Sequence, residues 1–198
     1  LSDRVPNADV TLVPHGTFNV GARPWVPIES RPMRIVTMGK FGTYKRLETL
    51  LAAFDILRED PETPPVELVI GGTDHPNTPG YVANLALKRK DDPAVQFAGY
   101  VAEEDVPGFF ESGRLAVFDY EATTGASGVL HQAASLGAVP IFPRIGDFID
   151  LCEDEGLTGS HFAPGDARDL ADRMKSLLSD SAECNRIAKG NRIAVEAI

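Results

Sequence analysis

Short apolar runs alternate with amphipathic stretches along most of the chain. Val10–Val13, Arg34–Met38, Glu67–Ile70, Val95–Ala98, Leu115–Asp119 and Val139–Phe142 are brief, continuous and rich in Val, Ile and Leu. Strands covered on both faces read this way, as in a parallel sheet. Between them, Leu47, Leu50, Leu51, Phe54 and Leu57 recur at three-and-four spacing, which predicts a helix with Thr43 as its cap and Pro61 to Pro65 as its stop. Val106, Phe109 and Phe110 mark a second helix. Val129, Leu130, Ala133 and Ala134 mark a third, closed by Gly137. Leu170, Met174, Leu177 and Leu178 mark a late one, capped by Asp166. The alternation predicts an α/β fold: a parallel sheet of about six strands with helices on both faces. Its crossovers should be right-handed, and its ligand crevice should lie at the carboxyl ends of the strands where their order reverses. Gly16 to Pro32, with the single Trp25, reads as a linker or an ordered surface loop.

Composition narrows the picture. A chain of 198 residues with 43% hydrophobic and 24% charged residues suits a single packed domain, taken as residues 1–198. No apolar run is long enough to predict a transmembrane segment. The formal net charge of −10 makes nucleic acid and anionic membrane poor partners, since both call for clustered Lys and Arg. Cys152 and Cys184 lack ligand-like spacing and read as two buried free thiols in a reducing compartment rather than a disulfide. No D-x-D triplet occurs and the four His are scattered, so no metal site is expected.

Three turns after strands are candidate chemistry. In Leu115–Pro143 an apolar strand leads into Thr124-Gly125-Ala126-Ser127-Gly128 and then a helix. Bare amides at a helix start, with the helix dipole behind them, favour an anion such as phosphate. Gly39-Lys40-Phe41-Gly42-Thr43-Tyr44-Lys45-Arg46 follows another strand and places Lys45 and Arg46 in a helix's first turn, where a shared anion such as a diphosphate would offset the unfavourable dipole. The alternatives are a packing turn and a solvated basic turn. Phe97-Ala98-Gly99-Tyr100 ends a third strand, where Tyr100 could stack on a nucleobase or pack over a helix end. His15 reads as a turn residue, His131 as exposed, Glu153-Asp154-Glu155 as a solvated helix end, and Gly71-Gly72-Thr73-Asp74 as a turn near the crevice.

In order and spacing these segments resemble the Rossmann-like C-terminal, donor-binding half of a GT-B glycosyltransferase. The nearest group is the retaining, glycogen-synthase-like one often called family four. The likeness covers about residues 10–180 and rests on IVTMGKFGTYKRLETLLAAF, LVIGGTD, VQFAGYVAEEDVPGFF and TGASGVLHQAASLGAVPIF. It implies that a nucleoside diphosphate sugar, with UDP as nucleotide, is the donor substrate, that no cofactor or metal is needed, and that the parent protein serves polysaccharide biosynthesis. Lys40 and Lys45 would bind the diphosphate and stabilise it as leaving group. Gly39 and Tyr100 would flank the donor, and Thr124, Gly125, Ala126, Ser127, Gly128 and Gln132 would line its diphosphate, sugar and ribose. The family carries Glu where this chain has Thr124 and Gln132, so its carboxylate pair is missing; Asp119 or Glu121 are the nearest substitutes. Acceptor binding would fall to an N-terminal domain of the parent protein, leaving this chain a weak nucleotide binder that transfers no sugar. A cytoplasmic location follows, with any membrane association belonging to the rest of the parent.

Three readings compete. The missing carboxylates favour a degenerate, non-catalytic nucleotide-sugar or interaction module. A sugar-nucleotide epimerase would need acidic and His catalysts that cannot be placed. A dinucleotide-dependent oxidoreductase would need G-x-G-x-x-G after the first strand, which is absent.

Overall fold

The computed structural model describes residues 23–122 and 127–197, which excludes the expected strand Val10–Val13 and His15. Six strands form one sheet: β1 (Arg34–Phe41), β2 (Glu67–Asp74), β3 (Val95–Gly99), β4 (Leu115–Val117), β5 (Val139–Pro143) and β6 (Ser160–Phe162). All neighbours run parallel in the order β3-β2-β1-β4-β5-β6. The helices are α1 (Glu48–Glu59), α2 (Tyr81–Lys88), α3 (Val106–Glu111), α4 (Gly128–Ser135), α5 (Gly146–Asp154), α6 (Ala167–Ser179) and α7 (Ser181–Glu196). The expected Rossmann-like α/β fold is therefore present. Its sixth described strand is Ser160–Phe162, which is too short to stand out as an apolar run.

The period of two along each strand divides the core. Ile35, Leu68, Leu115, Val139 and Ile141 face one layer with α1 and α6, while Val36, Val69, Ala116 and Phe142 face the other with α3, α4 and α5. Helix α7 borders both, burying Cys184, Ile187 and Ala188 in the first layer and Val195 in the second. Cys152 and Cys184 are buried free thiols, each pushed up to about 12 by burial. The described part of the stretch before β1 is anchored by Arg31. Arg31 is buried, and its guanidinium donates to the carbonyls of Gly113 and Leu136 at 3.0 and 3.1 Å. It thus ties the ends of α3 and α4 to the entry segment.

The β1–α1 connection departs from expectation. Helix α1 starts at Glu48, and Thr43 does not cap it; the Thr43 hydroxyl is buried without a partner. The cap comes from the segment after β4 instead, where the Asp119 carboxylate accepts the Leu50 N–H at 3.1 Å. The Tyr81 hydroxyl accepts the Leu47 N–H at 2.9 Å and donates to Glu48 at 2.5 Å, and Arg46 forks onto the same Glu48 carboxylate. Burial pushes the Glu48 carboxyl up, but the hydrogen bonds from Arg46 and Tyr81 outweigh it and hold the group at about 2. Lys45 and Arg46 therefore precede the helix instead of opening it.

At the carboxyl end of β2, Gly71-Gly72-Thr73-Asp74 continues the strand rather than turning. Gly72 adopts a φ of 130°, and a Cβ there would stand 1.9 Å from the Gly39 carbonyl oxygen. Asp74 spends both carboxylate oxygens on the Gly80 and Val82 N–H groups at the start of α2.

Gly72→Ala should cost about 3 kcal/mol or more, because backbone cannot yield as a flexible side chain would; urea unfolding checks this. Glu48 titrates lower in the folded chain than in the unfolded one, so its contribution is present above about pH 5 and lost as pH falls toward 2. After solvent screening it amounts to at most about 1 kcal/mol. Glu48→Gln should flatten the acid limb of the stability curve by that amount, as thermal melts across pH would show.

Candidate functional site

The strand order reverses between β1 and β4, the place where such sheets part to admit a ligand. These two strands pair only at Ile35–Leu115 and Val36–Ala116, while β1 stays paired with β2 through Phe41. Beyond those two rungs a gap opens. It is bridged at its outer end, where Lys45 and Tyr120 form an isolated antiparallel pair. Arg46 N–H donates to the Asp119 carbonyl at 2.8 Å, and Glu121 N–H donates to the Tyr44 carbonyl at 2.7 Å.

A cleft of about 400 Å³ lies at this edge, lined by Gly39, Lys40, Lys45, Gly72, Tyr100 and Val129 among others. The fold thus brings together three strand ends and the first turn of α4. The Lys45 stem runs alongside Gly39, where a Cβ would sit in ordinary contact 3.6 Å from the Lys45 Cδ. The Lys45 ammonium lies 4.8 Å from the Tyr120 ring centroid and 5.7 Å from that of Tyr44. Burial pushes its pKa below the ordinary lysine value. Lys40 is exposed, and among the described residues neither lysine forms an ion pair. Tyr100 stands 77% exposed at the end of β3, so its ring face is available for stacking.

The other candidate residues are placed differently. Thr124, Gly125 and Ala126 lie outside the described residues. Ser127 is buried and caps α4, its Oγ accepting the Leu130 N–H at 3.3 Å and lying 3.3 Å from the Tyr120 hydroxyl. Gly128 opens α4, and Gln132 is half-buried one turn further on. Neither residue lines the cleft. Asp119 is buried and committed to the α1 cap, so it does not replace the missing carboxylate at the cleft; Glu121 is exposed. Among the described residues, no group of three His, Cys, Asp or Glu is arranged to hold a metal.

His131 is fully buried, contrary to expectation. Its Nδ1 lies 2.8 Å from the Ser127 carbonyl and its Nε2 lies 2.7 Å from Glu155. A carbonyl only accepts, so Nδ1 carries a hydrogen. Glu155 accordingly turns inward from the acidic run, while Glu153 and Asp154 stay exposed. The available signal was position: His131 falls on the face of α4 that buries Leu130 and Ala134.

Comparison with known proteins places this geometry. The chain matches the family described as "Glycosyl transferases group 1" over residues 32–180. It is 29% identical over 164 residues to the sulfoquinovosyl transferase SQD2 of Arabidopsis thaliana, covering 82% of this chain and 30% of that protein. Anabaena HepE, solved in complex with UDP and glucose, superposes with a TM-score of 0.71 at 19% identity, covering 85% of this chain and 44% of its own. The C-terminal domain of a group 1 glycosyl transferase from Francisella tularensis gives 0.69 at 19%, covering 85% of this chain and 88% of that one. The chain thus spans about a third of its curated relative and nearly all of an isolated C-terminal domain.

A pH titration followed at the Lys45 side chain by NMR should give a midpoint below 10.5, and added pyrophosphate should raise it. Because the unfolded chain holds that proton to higher pH, stability should climb with pH between the two midpoints, and Lys45→Met should abolish the climb. With the match extending over most of its length, the chain belongs to the group 1 glycosyl transferases and carries a domain of the GT-B, family-four type.

Proposed function

We propose that this chain is the donor-binding half of a GT-B glycosyltransferase and binds a nucleoside diphosphate sugar in the cleft formed by the carboxyl ends of β1, β2 and β3 and the first turn of α4. The supporting observation is that Lys40 and Lys45, in a chain of net charge −10, line one cleft beside an exposed aromatic ring and form no ion pair among the described residues. The ring would cover the base, and the ammonium groups would hold the diphosphate. In transfer, the bond from the anomeric carbon to the diphosphate oxygen breaks as the bond to the acceptor oxygen forms, and the acceptor hydroxyl's proton passes to the departing diphosphate. Negative charge builds on the departing diphosphate, and Lys40 and Lys45 would stabilise it. Two ammonium groups supply charge that a divalent cation supplies in other transferases. That HepE was solved with UDP supports uridine as the nucleoside.

The finer reading follows the family: retention at the anomeric carbon, acceptor binding by an N-terminal domain of the parent protein, a role in polysaccharide biosynthesis, and a cytoplasmic site of action. No helix among the described residues is long and apolar enough to cross a membrane. The chain alone is proposed to bind nucleotide and transfer no sugar. A second reading, a module that binds the nucleotide sugar without catalysis, is favoured by Thr124 and Gln132 standing where the family has Glu.

A thermal-shift panel of nucleotides and nucleotide sugars tests the proposal. Ligand at 100 times its dissociation constant should add about 2.7 kcal/mol of stability. Lys45→Ala should weaken diphosphate ligands about 10- to 100-fold, as expected for losing one charged hydrogen-bond partner, and leave nucleoside binding nearly unchanged. Equal responses in both proteins would overturn the donor-site assignment. Sugar transfer by the parent protein would separate the catalytic reading from the binding module.

A further inference from the structure

The Lys45 ammonium is held in an unusual way. A buried or half-buried cation is normally steadied by a carboxylate, but among the described residues Lys45 forms no ion pair. It rests instead against two tyrosines, with Tyr120 4.8 Å and Tyr44 5.7 Å from Nζ to ring centroid. The two rings meet edge to face at 6.1 Å, and Tyr120 is itself wedged against Phe118 and Phe148. Tyr120 is only 3% exposed, so its ring is fixed by the core. Its backbone pairs with Lys45, and its hydroxyl reaches Ser127 Oγ, the cap of α4. One side chain therefore touches both structures that border the cleft, the lysine on the β1 side and the helix start after β4.

We propose that Tyr120 is the positioning residue of this cleft, with Tyr44 as its outer partner: the ring faces seat the Lys45 ammonium, and the Tyr120 hydroxyl keeps the cap of α4 in register with it. A ring face attracts a cation without neutralising it. A carboxylate at the same place would pair with the ammonium and repel a diphosphate. The seat leaves the full positive charge available to the anion. This inference rests on the donor-site reading above.

The test uses this 198-residue chain as wild type, Tyr120→Phe, Tyr120→Leu, Tyr44→Leu and Lys45→Ala, with UDP as the probe. NMR of the Lys45 side chain, without ligand, should show ring-current-shifted Cε protons in wild type and Tyr120→Phe, and their return toward ordinary values in Tyr120→Leu. The Lys45 titration midpoint should fall further in Tyr120→Leu, because the ring favours the ammonium. UDP affinity by calorimetry should drop on the order of fivefold in Tyr120→Leu, the size of one partly desolvated cation–ring contact. The drop should be smaller in Tyr120→Phe and nearly absent when Tyr120→Leu is added to Lys45→Ala. Tyr44 is 38% exposed, so Tyr44→Leu carries the ring test in a folded protein even where loss of Tyr120 unfolds the core. It should relax the Lys45 shifts in part and weaken UDP about twofold, a lesser effect for the more distant face.

Lys45 signals that ignore the tyrosine changes overturn the seat. An equal loss of UDP affinity in the presence and absence of Lys45 shows a structural effect and overturns positioning through that lysine. A seated Lys45 whose removal leaves UDP affinity untouched overturns the donor-site reading, and the tyrosine's functional role falls with it; the ligand-free spectra tell that case from the others.

Discussion

Where β1 and β4 diverge, the chain must cross an open gap between two strands while keeping its backbone polar groups satisfied. The pairing of Lys45 with Tyr120, flanked by the Arg46–Asp119 and Glu121–Tyr44 bonds, meets that requirement. It closes the outer end of the gap and sets Lys45 in the wall of the cleft. It also decides where α1 begins, because the crossing segment delivers Asp119 to the helix start as a cap from the end of β4. The position of the lysine and the start of the helix are thus consequences of one crossing.

Charge follows the same geometry. Much of the basic surface of this acidic chain is tied up: Arg58 with Asp92, Arg89 with Asp55, Lys175 with Asp60 and Glu62. Such exposed pairs add little stability, but they leave few cations for a ligand. Lys40 and Lys45 are kept apart from acidic neighbours. The carboxylate nearest in sequence, Glu48, is saturated by Arg46 and Tyr81, and Asp119 is turned under the helix. Positive charge remains at the carboxyl edge while these two carboxylates are engaged elsewhere.

The strands and helices legible in the sequence were those whose partners lie within their own run of residues. Ile35, Leu68, Leu115 and Val139 announced their strands by buried apolar runs, Val95 by an apolar run that proves to be a largely exposed edge strand, and the spacing of Leu50, Phe54 and Leu57 announced α1. Asp166 and Gly137 act within one turn of their helices, as expected. Errors arose where the partner came from far away. Thr43 lost the cap to Asp119, which is far along the chain. His131 was hidden by a bond to Glu155 across another crossover, and β6 owes its existence to pairing with β5. Of the candidate site, Gly39, Lys40, Lys45 and Tyr100 could be singled out because each follows an apolar run that ends at one edge of the sheet.

By itself the order of residues determined the alternation of strand and helix, the two-sided burial of the sheet and the acidic background against which two lysines stand out. Those properties are set by spacings of two to four residues, so local sequence suffices to carry them. Only the folded chain decided that β1 and β4 separate after two rungs, that Tyr120 lies beneath Lys45, and that Asp119 faces a helix instead of the cleft. Those are contacts between residues about seventy positions apart, and no local pattern encodes which of several nearby polar groups will reach a partner first.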